Sequence, residues 1–156
     1  MRILFADAFY WIALLNPKDE NYQKVKAFNR TLTQTRLVTK DEVLTEFLNF
    51  YSSYNPQMRQ NAVSRIDDIF NNKIVQVIPQ ERESFVAGLN LYKQRLDKGY
   101  SLTDCISMTT MRQLELALLN QGMNANCASY PKVSWGLGFK NPTREDSYLK
   151  SATPKF

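Results

Sequence analysis

Asp7 divides two apolar runs, Ile3-Leu4-Phe5-Ala6 before it and Ala8-Phe9-Tyr10-Trp11-Ile12-Ala13-Leu14-Leu15 after it. The first has the length of a short buried strand. The second reads as a helix that Asn16-Pro17 stops, so the segment is a strand feeding straight into a helix. Units of this kind build parallel sheets, and the residue between strand and helix falls at the carboxyl edge, where open α/β sheets bind their ligands. A carboxylate there is either a helix cap or a group with chemistry to do.

The same alternation continues along the chain. Asp19 opens a second helix with Tyr22, Val25, Phe28 and Leu32 on one face, and Arg36-Leu37-Val38-Thr39 follows as a second strand. Asp41 opens a third helix whose core face is Val43, Leu44, Phe47, Leu48 and Tyr51, with Glu46 on the border of that face. Asn55-Pro56 places a cap before a proline at the first helical position, and the helix runs on through Val63, Ile66, Ile69 and Phe70. Ile74-Val75-Gln76-Val77-Ile78 is the clearest strand, closed by Pro79. Phe85, Leu89, Tyr92 and Leu96 form the next helical stripe, which Gly99 ends. A further helix is expected from Ser101 to about Leu114, and Leu116-Ala117-Leu118-Leu119 is expected as a fourth strand. Strands alternating with helices predict an α/β fold with a largely parallel sheet and right-handed crossovers. Residues 121–156 show no sustained period and read as an atypical, irregular segment.

Composition narrows the chemistry. A chain of 156 residues with 44% hydrophobic side chains has enough apolar material for one folded domain. It contains no histidine, which removes the Ser-His-Asp and Cys-His nucleophile systems and the histidine zinc sites. Cys105 and Cys127 are too few for a disulfide scaffold or a four-thiolate zinc site. No apolar stretch approaches the roughly 20 residues that span a bilayer, and Met1-Arg2 lead directly into the first strand, so a cytoplasmic protein is expected. The net charge of +5 is concentrated late: residues 1–116 hold 15 Lys and Arg against 13 Asp and Glu, and residues 117–156 hold 5 against 2. The basic balance therefore supports nucleic-acid binding only weakly.

Three acids are set among apolar residues: Asp7, Glu46 in Val43-Leu44-Thr45-Glu46-Phe47-Leu48, and Asp104 in Leu102-Thr103-Asp104-Cys105-Ile106. Each has a structural explanation on its own. Asp7 suits an N-cap, Ser101-x-x-Asp104 suits a capping box, and Glu46 suits a solvated helix face. Their positions relative to the sheet let all three meet at one edge. Two carboxylates about 4 Å apart repel by about 4 kcal/mol at an effective dielectric of 20, so such a cluster must protonate, spread or bind a cation. Oxygen-only donors suit Mg²⁺ or Mn²⁺. No glycine-rich phosphate loop follows the first strand, which argues against a nucleotide cofactor. Arg59, Arg65, Lys93, Arg95, Lys98 and Arg112 read either as phosphate contacts or as a solvated face, and Tyr10 and Trp11 either as base-stacking rings or as core.

The order Ile3-Leu4-Phe5-Ala6-Asp7, Val43-Leu44-Thr45-Glu46-Phe47-Leu48 and Gly99-Tyr100-Ser101-Leu102-Thr103-Asp104-Cys105-Ile106 resembles the PIN-domain family, in particular its VapC-like toxins. The resemblance covers residues 1–120. It implies a PIN-like three-layer sandwich with a central sheet of four to five strands, and a cytoplasmic Mg²⁺- or Mn²⁺-dependent endoribonuclease acting on RNA. Such toxins are often homodimeric and held inactive by a small antitoxin. Carried over, Asp7 and Asp104 are the principal metal ligands and Glu46 completes the site directly or through water. The family's fourth acid is missing, since Asn120-Gln121 has glutamine where the aspartate would stand, and the best match to its final strand is Lys132-Val133-Ser134-Trp135. A PIN-like module that binds RNA or an antitoxin without cutting is the alternative. An unrelated flavodoxin-like binding domain is a third reading.

Overall fold

Strands and helices alternate along the computed structural model, which describes residues 2–120. The expectations for Gln121, for the segment 121–156 and for a strand at Lys132-Val133-Ser134-Trp135 lie outside the described residues. Three strands, β1 (Arg2–Phe5), β2 (Thr35–Lys40) and β3 (Val75–Ile78), form a sheet in the order β1-β2-β3. Both pairings are parallel, with Phe5 opposite Val38 and Thr39 opposite Val77. The helices are α1 (Ala8–Leu15), α2 (Tyr22–Asn29), α3 (Asp41–Phe50), α4 (Pro56–Asn71), α5 (Arg82–Gln94) and α6 (Leu102–Asn120). The expected α/β architecture, a parallel sheet flanked by helices, is what the chain adopts. No helix among the described residues is long and apolar enough to cross a membrane.

The Asn55-Pro56 start signal behaves as its chemistry requires, whereas α2 begins at Tyr22 with Asn21, not Asp19, at the cap position. Asn55 is extended and its side-chain oxygen accepts from the Met58 amide at 2.9 Å, with Pro56 filling the first helical position. Tyr10 and Trp11 are buried, 8% and 4% exposed, so they belong to the core with Leu4, Val43 and Phe47. That favours the core reading of these rings over base stacking.

Three expectations are corrected. The fourth strand at Leu116-Ala117-Leu118-Leu119 is part of α6, which runs unbroken to Asn120, so the sheet has three strands among the described residues. Leucine and alanine are strong helix formers, none of the four residues is β-branched, and no glycine or proline interrupts the run from Ser101. The apolar stripes of α4 and α5 are also displaced: Val63, Phe70, Tyr92 and Leu96 are exposed. The buried faces are Ala62 and Ile69 on α4, and Ser84, Gly88 and Leu91 on α5. Leu48, assigned to the core face of α3, is exposed as well.

Small residues face the partner helix because α5 and α6 approach closely. A Cβ at Gly88 would collide with the Ile106 side chain and stand 3.0 Å from that residue's backbone nitrogen and Cα. Gly88→Ala gains about 1 kcal/mol of helix propensity. The overpacking it creates costs about 1–3 kcal/mol, and backbone atoms have little room to yield. The variant should melt at a lower temperature than the parent protein in a calorimetric scan, whereas an equal or higher midpoint would contradict the close approach.

Candidate active site

Asp7 follows β1 by two residues, still in extended conformation, and caps α1: its Oδ1 accepts from the Tyr10 amide at 2.9 Å. Asp104 lies in the first turn of α6, where the Ser101 amide donates to Asp104 Oδ2 at 2.7 Å and the Asp104 amide donates to Ser101 Oγ at 3.1 Å. The reciprocal pair is the capping box expected from Ser101-x-x-Asp104. Glu46 is half-buried on α3 and takes a hydrogen bond from the Thr103 side chain on α6. The local roles of these acids are therefore real. They also serve as supports, because each cap uses one carboxylate oxygen and fixes where the other stands.

The three acids share one electrostatic environment. Burial raises the Asp7 carboxyl from 3.8 to about 6; the Tyr10 amide opposes the rise, and the charges of Asp104 and Glu46 add to it. Glu46 is raised by burial and then by the charge of Asp104, against the Thr103 hydrogen bond. Asp104 is raised by burial, against two hydrogen bonds from Ser101 that lower it. Repulsion between charges is mutual, so β1, α3 and α6 deliver coupled acids to one region. Their spacing is wider than a tight ligand cage. Among the described residues, no three His, Cys, Asp or Glu side chains form a group that could hold one ion. The donors still suit a hard cation such as Mg²⁺, which takes one or two carboxylates directly and keeps several waters.

A second set of charged side chains lies at the same carboxyl edge, unmarked by any sequence pattern. Lys40 and Glu42 are 2% and 8% exposed and pair at 3.8 Å. Lys40 Nζ donates to the Pro79 carbonyl at 3.4 Å, and Ser84 Oγ donates to Glu42 Oε1 at 3.1 Å. Glu42 Oε2 has no hydrogen-bond partner, so the lysine charge is what compensates it. With the Gln80 amide donating to Asp41 Oδ2 at 2.9 Å, these bonds tie the β2–α3 corner to the β3–α5 corner. Charged runs at strand ends normally read as solvated, which is why this tie has no sequence signature.

Among the described residues, three of the basic side chains singled out in the sequence are held in ion pairs. Arg65 pairs with Asp68, while Arg95 and Lys98 both pair with Asp97.

No protein-family model matches the chain, and no curated protein matches it in sequence. The fold does have a solved counterpart. The crystal structure of Mycobacterium tuberculosis VapC20, described as a sarcin-ricin loop cleaving toxin, superposes with a TM-score of 0.64 at 19% sequence identity. The match covers 72% of this chain and 83% of that one. The resemblance read from the three acidic segments thus extends to the fold, which is PIN-like.

The Asp7 shift fixes a sign for stability. Between about pH 4 and pH 6 the folded protein holds a proton on Asp7 that the unfolded chain has released, so this group's contribution falls as pH rises through that window. Asn caps a helix as well as Asp does and carries no charge. Asp7→Asn should therefore stabilise the protein at pH 7, by at most about 3 kcal/mol for a two-unit shift, with the advantage vanishing below pH 4. Calorimetric melts at the two pH values check this, and a variant less stable than the parent at pH 7 would contradict it.

Proposed function

We propose that this chain is a metal-dependent endoribonuclease of the VapC-like PIN type, with Asp7, Glu46 and Asp104 as its acidic site. The observation that carries the reading is the coupling of three half-buried carboxylates, all with raised affinity for protons, at the carboxyl edge of a PIN-like parallel sheet. Groups that are costly to leave charged and close together gain most from a cation. Asp7 and Asp104 would hold Mg²⁺ or Mn²⁺, with Glu46 contributing directly or through water. Such an ion, when bound, acidifies water and neutralises charge developing on a phosphodiester.

What the chain itself supplies is placement. The Tyr10 amide holds one oxygen of Asp7, the Ser101 amide holds one oxygen of Asp104, and Thr103 orients Glu46 across the α3–α6 contact. RNA as substrate, a small antitoxin as partner, a homodimer and a cytoplasmic location belong to the same proposal, with residues 1–120 as the nuclease domain. The likeness to VapC20 and the order of the acidic segments support them. VapC20 also suggests the first substrate to try, an RNA carrying the sarcin-ricin loop.

A second reading rests on the missing fourth acid at Gln121 and on the wide spacing of the other three. It is a PIN-like module that engages RNA or an antitoxin without turnover.

One assay separates the two. Purified protein incubated with sarcin-ricin loop RNA and Mn²⁺ should cut it, and chelator or Asp7→Asn should lower the rate on the order of a hundredfold. Because Asp7→Asn is expected to be the more stable protein at pH 7, lost cleavage would not reflect unfolding. Cleavage indifferent to chelator and to the substitution would refute the site, and retention of RNA without cutting would select the second reading.

A further inference from the structure

We infer that Thr39 is a positioning residue for Asp7, gripping the chain on both sides of that carboxylate through one hydroxyl. Thr39 sits on β2 with no exposed surface. Its Oγ1 lies 2.8 Å from the Ala6 carbonyl oxygen and 3.3 Å from Trp11 Nε1. An indole nitrogen can only donate, so the hydroxyl oxygen accepts from Trp11 and the hydroxyl proton goes to Ala6. The direction of this two-bond relay is thereby determined.

Both ends of the relay bear on Asp7. The Ala6 carbonyl belongs to the planar peptide unit whose other end is the Asp7 N–H, so holding one end orients the other. This carbonyl lies just beyond the last ladder pair, Phe5 with Val38, and the Ala6 amide donates to the Val38 carbonyl at 2.8 Å. Ala6 is thus bonded to β2 through both its backbone groups, one of them by way of a side chain. Trp11 follows Asp7 by four residues, one turn into the helix that Asp7 caps. A valine would fill the space of Thr39 and suit the strand equally well, but it would strand a buried N–H and a buried carbonyl.

The geometric part of this inference stands on the relay alone; its consequence for metal binding rests on the nuclease reading. The experiment reads the two separately in Thr39→Val, Thr39→Ser and Ile69→Ala, the last a buried substitution on α4 as a control for lost stability. The first readout is hydrogen exchange of the Tyr10 amide, the bond Asp7 makes, referenced to the slowest core amides. The second is Mn²⁺ affinity by calorimetry well below the melting temperature. Thr39→Val should speed Tyr10 exchange and weaken Mn²⁺ binding at least tenfold relative to Ile69→Ala, and Thr39→Ser should stay within threefold of the parent protein on both. If Thr39→Val does not fold, Trp11→Phe, which removes only the donor, should move both readouts in the same direction by a smaller factor. Tyr10 exchange in Thr39→Val no faster than in the control, or Thr39→Ser as impaired as Thr39→Val, would overturn the inference. So would Trp11→Phe unchanged from the parent protein. Parent protein that binds no Mn²⁺ would refute the nuclease reading, and Tyr10 exchange would still decide the role of Thr39.

Discussion

The burial of Asp7, Glu46 and Asp104 within reach of one another's charge is the constraint around which this edge of the molecule is organised. Desolvation and mutual charge both act against their ionised forms, and a fold selected for stability alone would scatter them. Hydrogen bonds from Tyr10, Ser101 and Thr103 offset part of that cost while holding the groups in place. Protonation, separation or a bound cation can relieve the rest. A site that is poorly stable by itself and improved by a ligand is what binding chemistry requires.

The scaffold answers the same need. Short strands place the ends of β1, β2 and β3 side by side, and helices leave from each end. The buried Lys40–Glu42 pair and its contacts with Pro79 and Ser84 fasten two of these corners. The tight contact of Gly88 with Ile106 fixes α6, two residues beyond Asp104. Packing, caps and a buried ion pair thus hold three separate segments in one arrangement.

How much of this was legible in the sequence depended on range. The three strands β1 to β3, the start of α4 and the caps made by Asp7 and Asp104 are readable because they are set by residues within a few positions of one another, as Asn55-Pro56 and Ser101-x-x-Asp104 illustrate, whereas the Asp19 start of α2 is not. The path of Leu116-Ala117-Leu118-Leu119 was misread because a short apolar run fits strand or helix equally until its branching and its continuity with Ser101 are weighed. Val63, Phe70 and Leu96 followed helical spacing yet are exposed, since the side of a helix that is covered depends on its neighbour. Lys40, Glu42 and Thr39 carry no signal: apart from the Lys40–Glu42 pair itself, their roles come from partners 28 to 42 residues away in the chain. The acids fell between these cases. Their order suggests a meeting; the fold brings their charges within electrostatic reach of one another, without a tight three-acid group among the described residues.

The central proposal is that Asp7 and Asp104 hold one divalent ion, with Glu46 contributing directly or through water, and proton release on binding tests it most directly. Asp7, whose carboxyl burial raises to about 6, must give up its proton to a metal. Calorimetric titration of Mn²⁺ into the protein at pH 6, in two buffers of different ionisation enthalpy, should give different apparent heats, with the difference shrinking at pH 8 and absent in Asp104→Asn. Saturable binding with identical heats in both buffers at pH 6, or binding that survives Asp104→Asn unaltered, would contradict a shared carboxylate site.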